Sequence, residues 1–202
     1  QAGTDWRAAA AAAYMLGGMH GEHIDARRRA LYEQAPDAVL AATDDLSDEV
    51  SFELRRKARA QYPGLALRSM GLALQTPAGW QLWQELAELA PADALACLTG
   101  LEDERAWQAR ERYADAQPVF GQIVLGSLAG LGSERAWALR ERLLEARSKE
   151  LSVSYELSRV LAKSVTGLAD DRAWQLRREA RKPAPVAALS SLSGLTGAYS
   201  WQ

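Results

Sequence analysis

A motif that recurs about every 27 residues constrains this chain more than any other feature, because self-similarity at a short period is typical of helical-repeat architectures. The motif has an acid or hydroxyl residue, an aromatic ring four positions later, and an arginine three positions after the ring. Copies start near residues 21, 48, 76, 103, 133, 170 and 197, and those at 48, 103, 133 and 170 are the clearest. Successive ring positions are separated by 27, 28, 27, 30, 37 and 27 residues.

Each copy has the start and stop signals of a helix, a short turn and a second helix. The Asp, Ser or Thr that opens most copies is a good helix N-cap, and the acid that usually follows suits the positive end of the helix dipole. A leucine stands two residues before most of these caps and usually follows a glycine, which indicates that the preceding helix ends there. A proline suited to a first helical turn lies between the two helices in five copies: Pro36, Pro63, Pro91, Pro118 and Pro185.

This pattern resembles the α-solenoids of the broad HEAT, armadillo and TPR type, and the resemblance covers the whole chain. It implies an all-α, right-handed solenoid of about six to seven tandem helix-turn-helix repeats, forming a single array over residues 1–202. The period is shorter than in those classes, and the resemblance implies no particular activity. The last copy stops right after Trp201, so we expect this chain to be part of a longer array or a larger protein.

Composition indicates what kind of protein this is and which cellular compartment suits it. Hydrophobic residues make up 48% of the chain and the net charge is −2, so we expect a continuous core and no global basic field. No stretch approaches the roughly 18 consecutive apolar residues of a membrane span. The single cysteine, Cys97, lies in an apolar stretch and is interpreted as a buried hydrophobe. This fits a reducing compartment, and we expect a cytoplasmic protein.

The arginine of the motif falls inside the apolar arc of its helix, where an unpaired charge is costly. This arginine column comprises Arg28, Arg55, Arg110, Arg140 and Arg177. In one interpretation, each arginine stacks on the ring three residues before it and pairs with the acidic helix start of an adjacent repeat. In the other, the column lines a groove and binds phosphates or carboxylates of an extended partner. The third repeat has Trp83 in place of the arginine and Pro77 in place of the acid.

Two other sets of residues allow both a structural and a functional interpretation. The repeated rings favour packing between repeats, although they could also stack on nucleic-acid bases. A second basic set is interleaved with glutamates and favours a solvated, mixed surface. Its members are Arg105, Arg135, Arg172, Lys57, Arg112 and Arg142.

The motifs of common catalytic and metal sites are missing. His20 and His23 do not have the spacing of zinc-protease motifs, and the chain has no phosphate-binding loop, nucleophile elbow or Cys-x-x-Cys pair. The acidic cluster at 44–49 is explained by helix capping. We therefore predict no enzymatic activity, no cofactor and no metal here, although a larger parent protein could carry a catalytic unit elsewhere.

The longest interval between rings, 37 residues, contains an insertion at 148–155 that breaks the regularity of the repeats. Insertions in solenoids often specialise a binding face, so Lys149 and Tyr155 join the arginine column as candidate partner-binding residues. The leading hypothesis is a non-catalytic scaffold domain that recognises a protein partner. The alternative is a binder of nucleic acid or another phosphate polymer, which would act through the arginine column and weaken steeply with salt.

Overall fold

The computed structural model describes residues 6–116, 118–146 and 154–195. These residues form helices, turns and irregular segments without a strand, which confirms the predicted all-α class. The chain divides into two compact units, one ending at Cys97 and the other beginning at Leu98, and each is described separately. The single array over 1–202 stays a prediction, and the last copy, at 197–202, lies outside the described residues.

The helices alternate along the chain between a first and a second helix of each repeat. In the unit that ends at Cys97 they are α1 (Trp6–Met15), α2 (Glu22–Tyr32), α3 (Pro36–Ala42), α4 (Glu49–Ala58), α5 (Pro63–Arg68), α6 (Pro77–Ala87) and α7 (Pro91–Ala96), with a 3-10 turn at Leu72–Gln75. The other unit contains α8 (Glu104–Ala116), α9 (Pro118–Ser127), α10 (Glu134–Glu145), α11 (Tyr155–Ser164), α12 (Asp171–Arg181) and α13 (Pro185–Ser190). We call α2, α4, α6, α8, α10 and α12 first helices, and α1 with the remaining odd-numbered helices second helices.

The predicted helix boundaries are confirmed in most copies. All five prolines placed between the two helices are the first residues of helices. The side chains of Asp48 and Asp170 accept hydrogen bonds from the amides of Ser51 at 2.7 Å and Ala173 at 2.9 Å, as N-caps do. The predicted side-chain cap at Ser133 is wrong, because Ser133 occupies the N-cap position of α10 without a side-chain capping bond.

The glycines that close the repeats have the left-handed backbone expected after a helix. Their φ angles are 72° at Gly18, 77° at Gly100, 80° at Gly130, 78° at Gly167 and 82° at Gly194. A side chain at such a φ is strained, so glycine is the residue that ends these helices at low cost. The predicted Gly-containing C-caps are therefore confirmed at these positions.

Second helices pack side by side within each unit. In the unit that ends at Cys97, α3 packs against α1 and α5, and α5 packs against α7. In the other unit, α11 packs against both α9 and α13. First helices pack on the second helices of their own repeats, as α2 does on α3 and α12 does on α13. The core thus lies between neighbouring repeats, because two short helices cannot bury their own apolar surfaces.

The third repeat replaces the arginine with a different local structure. Its 3-10 turn at Leu72–Gln75 follows α5, and the Thr76 hydroxyl donates to the carbonyl of Ala73 at 2.8 Å. Trp83 occupies the arginine position and its indole nitrogen donates to the carbonyl of Ala94 at 3.0 Å. The 3-10 turn brings Ala73 against α6 at Gly79, where a Cβ would overlap the Ala73 carbonyl. The third repeat therefore differs from the others in three places that lie on or against α6: Trp83, Gly79 and the 3-10 turn.

We expect Gly79→Ala to lower the free energy of unfolding by about 1–3 kcal/mol, because the new methyl group forces backbone apart in a packed region. Urea unfolding followed by circular dichroism measures this. Gly126→Ala is the matched control, since a Cβ there meets Val160 at an ordinary 3.9 Å and alanine favours helix by up to about 1 kcal/mol. Equal effects of the two substitutions would contradict the close approach at Gly79.

Candidate functional site

The side chains of the arginine column are buried, with exposed fractions of 0–3%. Four of them lie over the ring three residues earlier, as predicted. The distances from guanidinium carbon to ring centroid are 5.6 Å for Arg55 on Phe52, 4.8 Å for Arg110 on Trp107, 4.6 Å for Arg140 on Trp137 and 4.9 Å for Arg177 on Trp174. Stacking between arginine and ring is therefore a regular feature of the repeat.

Each arginine also donates hydrogen bonds to the turn that follows the preceding second helix. The acceptors are the carbonyls 12 and 9 residues earlier in every case, at 2.5–3.0 Å. These pairs are Leu16 and Met19, Thr43 and Leu46, Leu98 and Leu101, Leu128 and Leu131, and Val165 and Leu168. These carbonyls lie just beyond the C-terminal ends of the helices, where the helix dipole favours a cation. The earlier carbonyl of each pair also accepts from the amide three residues later, so the guanidinium is a second donor to it.

Four of the arginines also bind a serine near the end of the second helix of their own repeat. Nε of Arg55 donates to the Ser69 carbonyl at 3.0 Å. Nε of Arg110 donates to the Ser127 hydroxyl at 3.2 Å, and Nε of Arg177 donates to the Ser191 hydroxyl at 3.0 Å. Nη2 of Arg140 donates to the Ser164 carbonyl at 2.8 Å. One guanidinium thus joins the turn before its own helix to the C-terminal end of the second helix of its repeat, which requires the several donors of arginine.

The electrostatics of the column follow from this burial. Burial lowers the pKa of Arg55, Arg110 and Arg140 to about 10, because the charged form loses its hydration. It also lowers the pKa of Arg177. These groups stay charged at neutral pH, and their positive charge faces the negative ends of helix dipoles.

The predicted pairing of the column with acidic helix starts needs correction. Backbone carbonyls are the regular partners, because helix ends lie closer to the guanidinium groups than the N-cap carboxylates do. Arg28 is the member with direct carboxylate contacts among the described residues, at 3.3 Å to Asp25 and 3.8 Å to Asp48. The geometry supports a structural role for the column, and its predicted role in binding a partner stays a prediction.

A second arginine position joins consecutive first helices on the solvent side. We call Arg135 and Arg172 the outer arginines. Arg135 lies 5.0 Å from the centroid of Trp107 and pairs with Glu104 at 2.7 Å and Glu111 at 2.9 Å. Both carboxylates belong to the first helix of the preceding repeat, so Arg135 links α10 to α8.

Arg172 repeats this arrangement one repeat later. It lies 4.7 Å from the centroid of Trp137 and pairs with Glu134 at 2.5 Å and Glu141 at 3.9 Å. Trp107 and Trp137 are therefore each contacted by two guanidinium groups, one from the same helix and one from the next repeat. The interleaving of the outer arginines with glutamates predicted a solvated surface and did not predict these links. Their shared position, two residues after the start of a copy, was the available signal.

The remaining members of the second basic set make local or nearby contacts. Arg105 pairs with Asp103 at 2.7 Å, Arg142 lies 3.5 Å from Asp115, and Lys57 pairs with Glu33. The Arg105 guanidinium lowers the pKa of Asp103 to about 2. The mixed surface predicted for this set is thus built from ion pairs between oppositely charged side chains.

Acid should weaken the links made by the outer arginines. Hydrogen bonding to Arg135 and Arg172 lowers the pKa of Glu104 and Glu134 below the ordinary value of 4.5. Their contribution to stability is therefore complete above about pH 4.5 and is lost as the pH falls through the folded-state pKa. We expect the melting temperature of Arg135→Gln/Arg172→Gln to fall less steeply than that of the wild type between about pH 5 and about pH 3.

Melting curves followed by circular dichroism across this pH range measure the difference between the two proteins. Arg56→Gln is the control, because Arg56 is exposed and none of the ion pairs seen in the described part of the chain includes it. Parallel pH dependence in the wild type and the double variant would show that the two glutamates are not coupled to the outer arginines.

The insertion places one predicted site residue at the start of α11. Tyr155 is 56% exposed, directly after Ser154, whose hydroxyl accepts from the Leu157 amide at 3.2 Å. Arg159 and Glu156 pair beside it at 2.5 Å. Lys149, the other predicted residue of the insertion, lies outside the described residues. The structure does not bring Tyr155 together with the arginine column, because the tyrosine ring faces solvent and the guanidinium groups are buried.

The described ranges contain no group of three or more His, Cys, Asp and Glu side chains arranged to hold a metal ion. Burial raises the pKa of the Cys97 thiol to about 12, and this thiol donates to the carbonyl of Ala94 at 3.1 Å. Within the same ranges, no helix combines the length and apolar character needed to cross a bilayer. Comparisons with known protein families, with curated proteins and with solved structures find no match to this chain.

Proposed function

We propose that this chain is a right-handed α-solenoid of repeats about 27 residues long, and that it serves as a non-catalytic scaffold that binds a protein partner. Two features support the solenoid. The arginine column contacts carbonyls at the same two offsets in five repeats, and second helices pack on one another within each unit. Regular nearest-neighbour contacts of this kind are what a solenoid requires.

The observation that favours a protein partner is the contrast between the arginines and Tyr155. The guanidinium groups of the column are buried on backbone carbonyls, and the outer arginines pair with glutamates. A phosphate polymer would have to compete with these internal partners. Tyr155, by contrast, offers a large exposed ring in the repeat that carries the insertion, and tyrosine is enriched among the residues that dominate protein interfaces.

The first experiment separates this proposal from the nucleic-acid alternative. Fluorescence anisotropy of labelled single-stranded and double-stranded oligonucleotides is measured against the chain at about 20 mM and about 150 mM salt. We expect no saturable binding at either salt concentration. Tight binding that weakens steeply with salt would overturn the proposal and make nucleic acid the partner.

Tyr155→Ala should weaken binding of a protein partner by 10-fold or more, because truncating a central interface tyrosine costs about 2 kcal/mol. Partners are captured with the wild type, identified by mass spectrometry, purified, and titrated calorimetrically against both proteins. Tyr62→Ala is the matched control, since Tyr62 is also an exposed tyrosine but lies in the unit that ends at Cys97. A partner that binds the wild type and both variants equally would exclude Tyr155 from the interface.

We propose a cytoplasmic location and no bound cofactor for this domain. The lone cysteine supports the first point, because a protein with a single unpaired thiol is suited to a reducing compartment. An assay for nuclease and glycosylase activity on purified protein tests the absence of catalysis.

A further inference from the structure

Successive second helices meet at a recurring pair of positions, counted from the residue at the C-terminal end of each helix. The side chain of that end residue donates to the carbonyl three positions earlier, and the end residues are Ser69, Cys97, Ser127, Ser164 and Ser191. The residue just before the end residue faces the one four positions before the end residue of the next second helix. At α5 and α7 this pair is Arg68 and Asp93, joined at 2.9 Å. At α9 and α11 it is Gly126 and Val160, where a Cβ on the glycine would meet Val160 at 3.9 Å.

The junction of α11 and α13 has a positive charge at this contact without a matching acid. The two helices pack against each other, and the same positions hold Lys163 and Ala187. Lys163 is exposed and forms no ion pair with the residues that the structure describes. Arg68, at the equivalent position of α5, is also exposed but is paired with Asp93. Lys163 thus has an alanine methyl group where its equivalent has a carboxylate.

The rest of the exposed face of α11 is neutral overall. Tyr155, Arg159 and Lys163 are all exposed and follow one another at intervals of four residues, so they lie along one side of the helix. Arg159 pairs with Glu156 at 2.5 Å, which balances its charge. α9 and α13 both pack against α11 and contain no charged residue. This face therefore presents a ring at one end and an uncompensated positive charge at the other.

We propose that the partner of the Tyr155 site is an acidic protein segment that lies along α11, with a carboxylate on Lys163 and an apolar side chain on Tyr155. This inference rests on the proposed function and adds the chemistry of the partner. Asp93 provides the precedent, because it is a carboxylate that binds the equivalent cation. Tyr155 and Lys163 lie about 12 Å apart along the helix, a distance that an extended chain covers in about four residues. The acid and the apolar residue of the partner should therefore be three or four positions apart.

A carboxylate of a protein suits this face better than a phosphate polymer does. Polymer affinity comes from several cations that each neutralise a phosphate. Within α11, Lys163 is the cation whose charge is not already paired, since Arg159 is bound to Glu156. Glu156 would also repel a run of phosphates passing from Lys163 to Tyr155.

A random peptide library displayed on phage, selected on the full chain at physiological salt, provides the probe. We expect enriched peptides to carry Asp or Glu three or four positions from a large apolar residue. A labelled peptide from this set should bind Lys163→Ala about 10-fold more weakly than the wild type, the loss typical of one hydrogen bond to a charged group. Ala187→Asp should weaken binding similarly, because its new carboxylate would occupy Lys163 as Asp93 occupies Arg68. Fluorescence anisotropy measures each affinity.

Two matched variants show whether the charge at this position causes the loss. Ala187→Asn has nearly the size of the aspartate variant without its charge and should bind the peptide like the wild type. Lys182→Ala removes an exposed lysine of the same unit outside α11 and should also bind normally. An equal loss in Lys182→Ala would reveal general charge attraction and overturn the proposal. Thermal melting checks that every variant keeps the wild-type fold.

The variants also separate this inference from the proposed function on which it rests. Peptides that lose binding to Tyr155→Ala but bind Lys163→Ala and Ala187→Asp normally would overturn the acidic partner and leave the site at Tyr155 intact. Peptides that bind all three variants normally would overturn both. A library without binders, or with binders that lack acids, would overturn the acidic partner, and the calorimetric titration of captured partners would then decide the role of Tyr155 by itself.

Discussion

Replacing Arg55 by methionine should lower the free energy of unfolding by about 3–5 kcal/mol. Arg55 is fully buried and donates hydrogen bonds to the carbonyls of Thr43, Leu46 and Ser69. Methionine fills much of the volume and donates to none of them. The Thr43 carbonyl keeps the Leu46 amide as a donor and the Leu46 carbonyl keeps the Ser51 hydroxyl, so the loss is that of hydrogen bonds from a charged donor. Each such bond contributes about 1.5–3 kcal/mol, less what the structure recovers by relaxing. Urea unfolding followed by circular dichroism measures the loss.

Two further substitutions show whether the hydrogen bonds cause the loss at Arg55. Arg56→Met removes an exposed guanidinium from the next position of the same helix and should change stability by no more than about 0.5 kcal/mol. Arg55→Lys keeps the charge but has no planar fork, so we expect an intermediate loss. Full stability in Arg55→Met would show that the column does not hold successive second helices together.

Truncating Trp137 to alanine should cost about 3–5 kcal/mol, as removal of a large buried aromatic side chain does. The ring is 2% exposed and packs in a cluster with Val165 and Ala173, with Leu168 and Leu176 at its edge. Two guanidinium groups, from Arg140 and Arg172, also lie over it. The loss therefore combines lost packing with the loss of stacking for two guanidinium groups, of which Arg140 is buried and Arg172 is exposed.

Trp174→Ala is the graded control for this prediction. Trp174 occupies the same motif position but is only partly buried, so its truncation should cost about 1–2 kcal/mol. Urea unfolding of both variants under the same conditions gives the comparison. Equal losses would indicate that inter-repeat packing does not distinguish the two rings. A small loss at Trp137 with impaired partner binding would assign that ring to recognition.

Local signals predicted most of the helical framework correctly. Proline at the first turn, an acid or hydroxyl at the N-cap and glycine after the last turn act within a few residues, so they can be recognised in sequence. These local signals were wrong at Ser133, whose side chain makes no capping bond, and did not predict the 3-10 turn at Leu72–Gln75. That turn depends on the packing of α6 against the segment before it.

Only part of the candidate site could be predicted from the sequence. The apolar surroundings of Arg140 and its stacking on Trp137 followed from helical periodicity, because residues three apart lie on one face. Its acceptors could not be predicted this way, since Leu128 and Leu131 lie in the turn after α9 and Ser164 is the last residue of α11. The links from Arg172 to Glu134 and Glu141 were missed for the same reason.

The sequence by itself determined that this protein is all-helical, where its helices begin, and which arginines and rings recur on their buried faces. It could do so because capping, periodicity and burial of apolar arcs are properties of short segments. Only the tertiary structure decided that the buried guanidinium groups bind helix-end carbonyls, that the outer arginines connect repeats, and that Lys163 lies where its equivalent, Arg68, meets a carboxylate. Those outcomes depend on which helix ends and faces meet across neighbouring repeats, and that is set by packing in three dimensions.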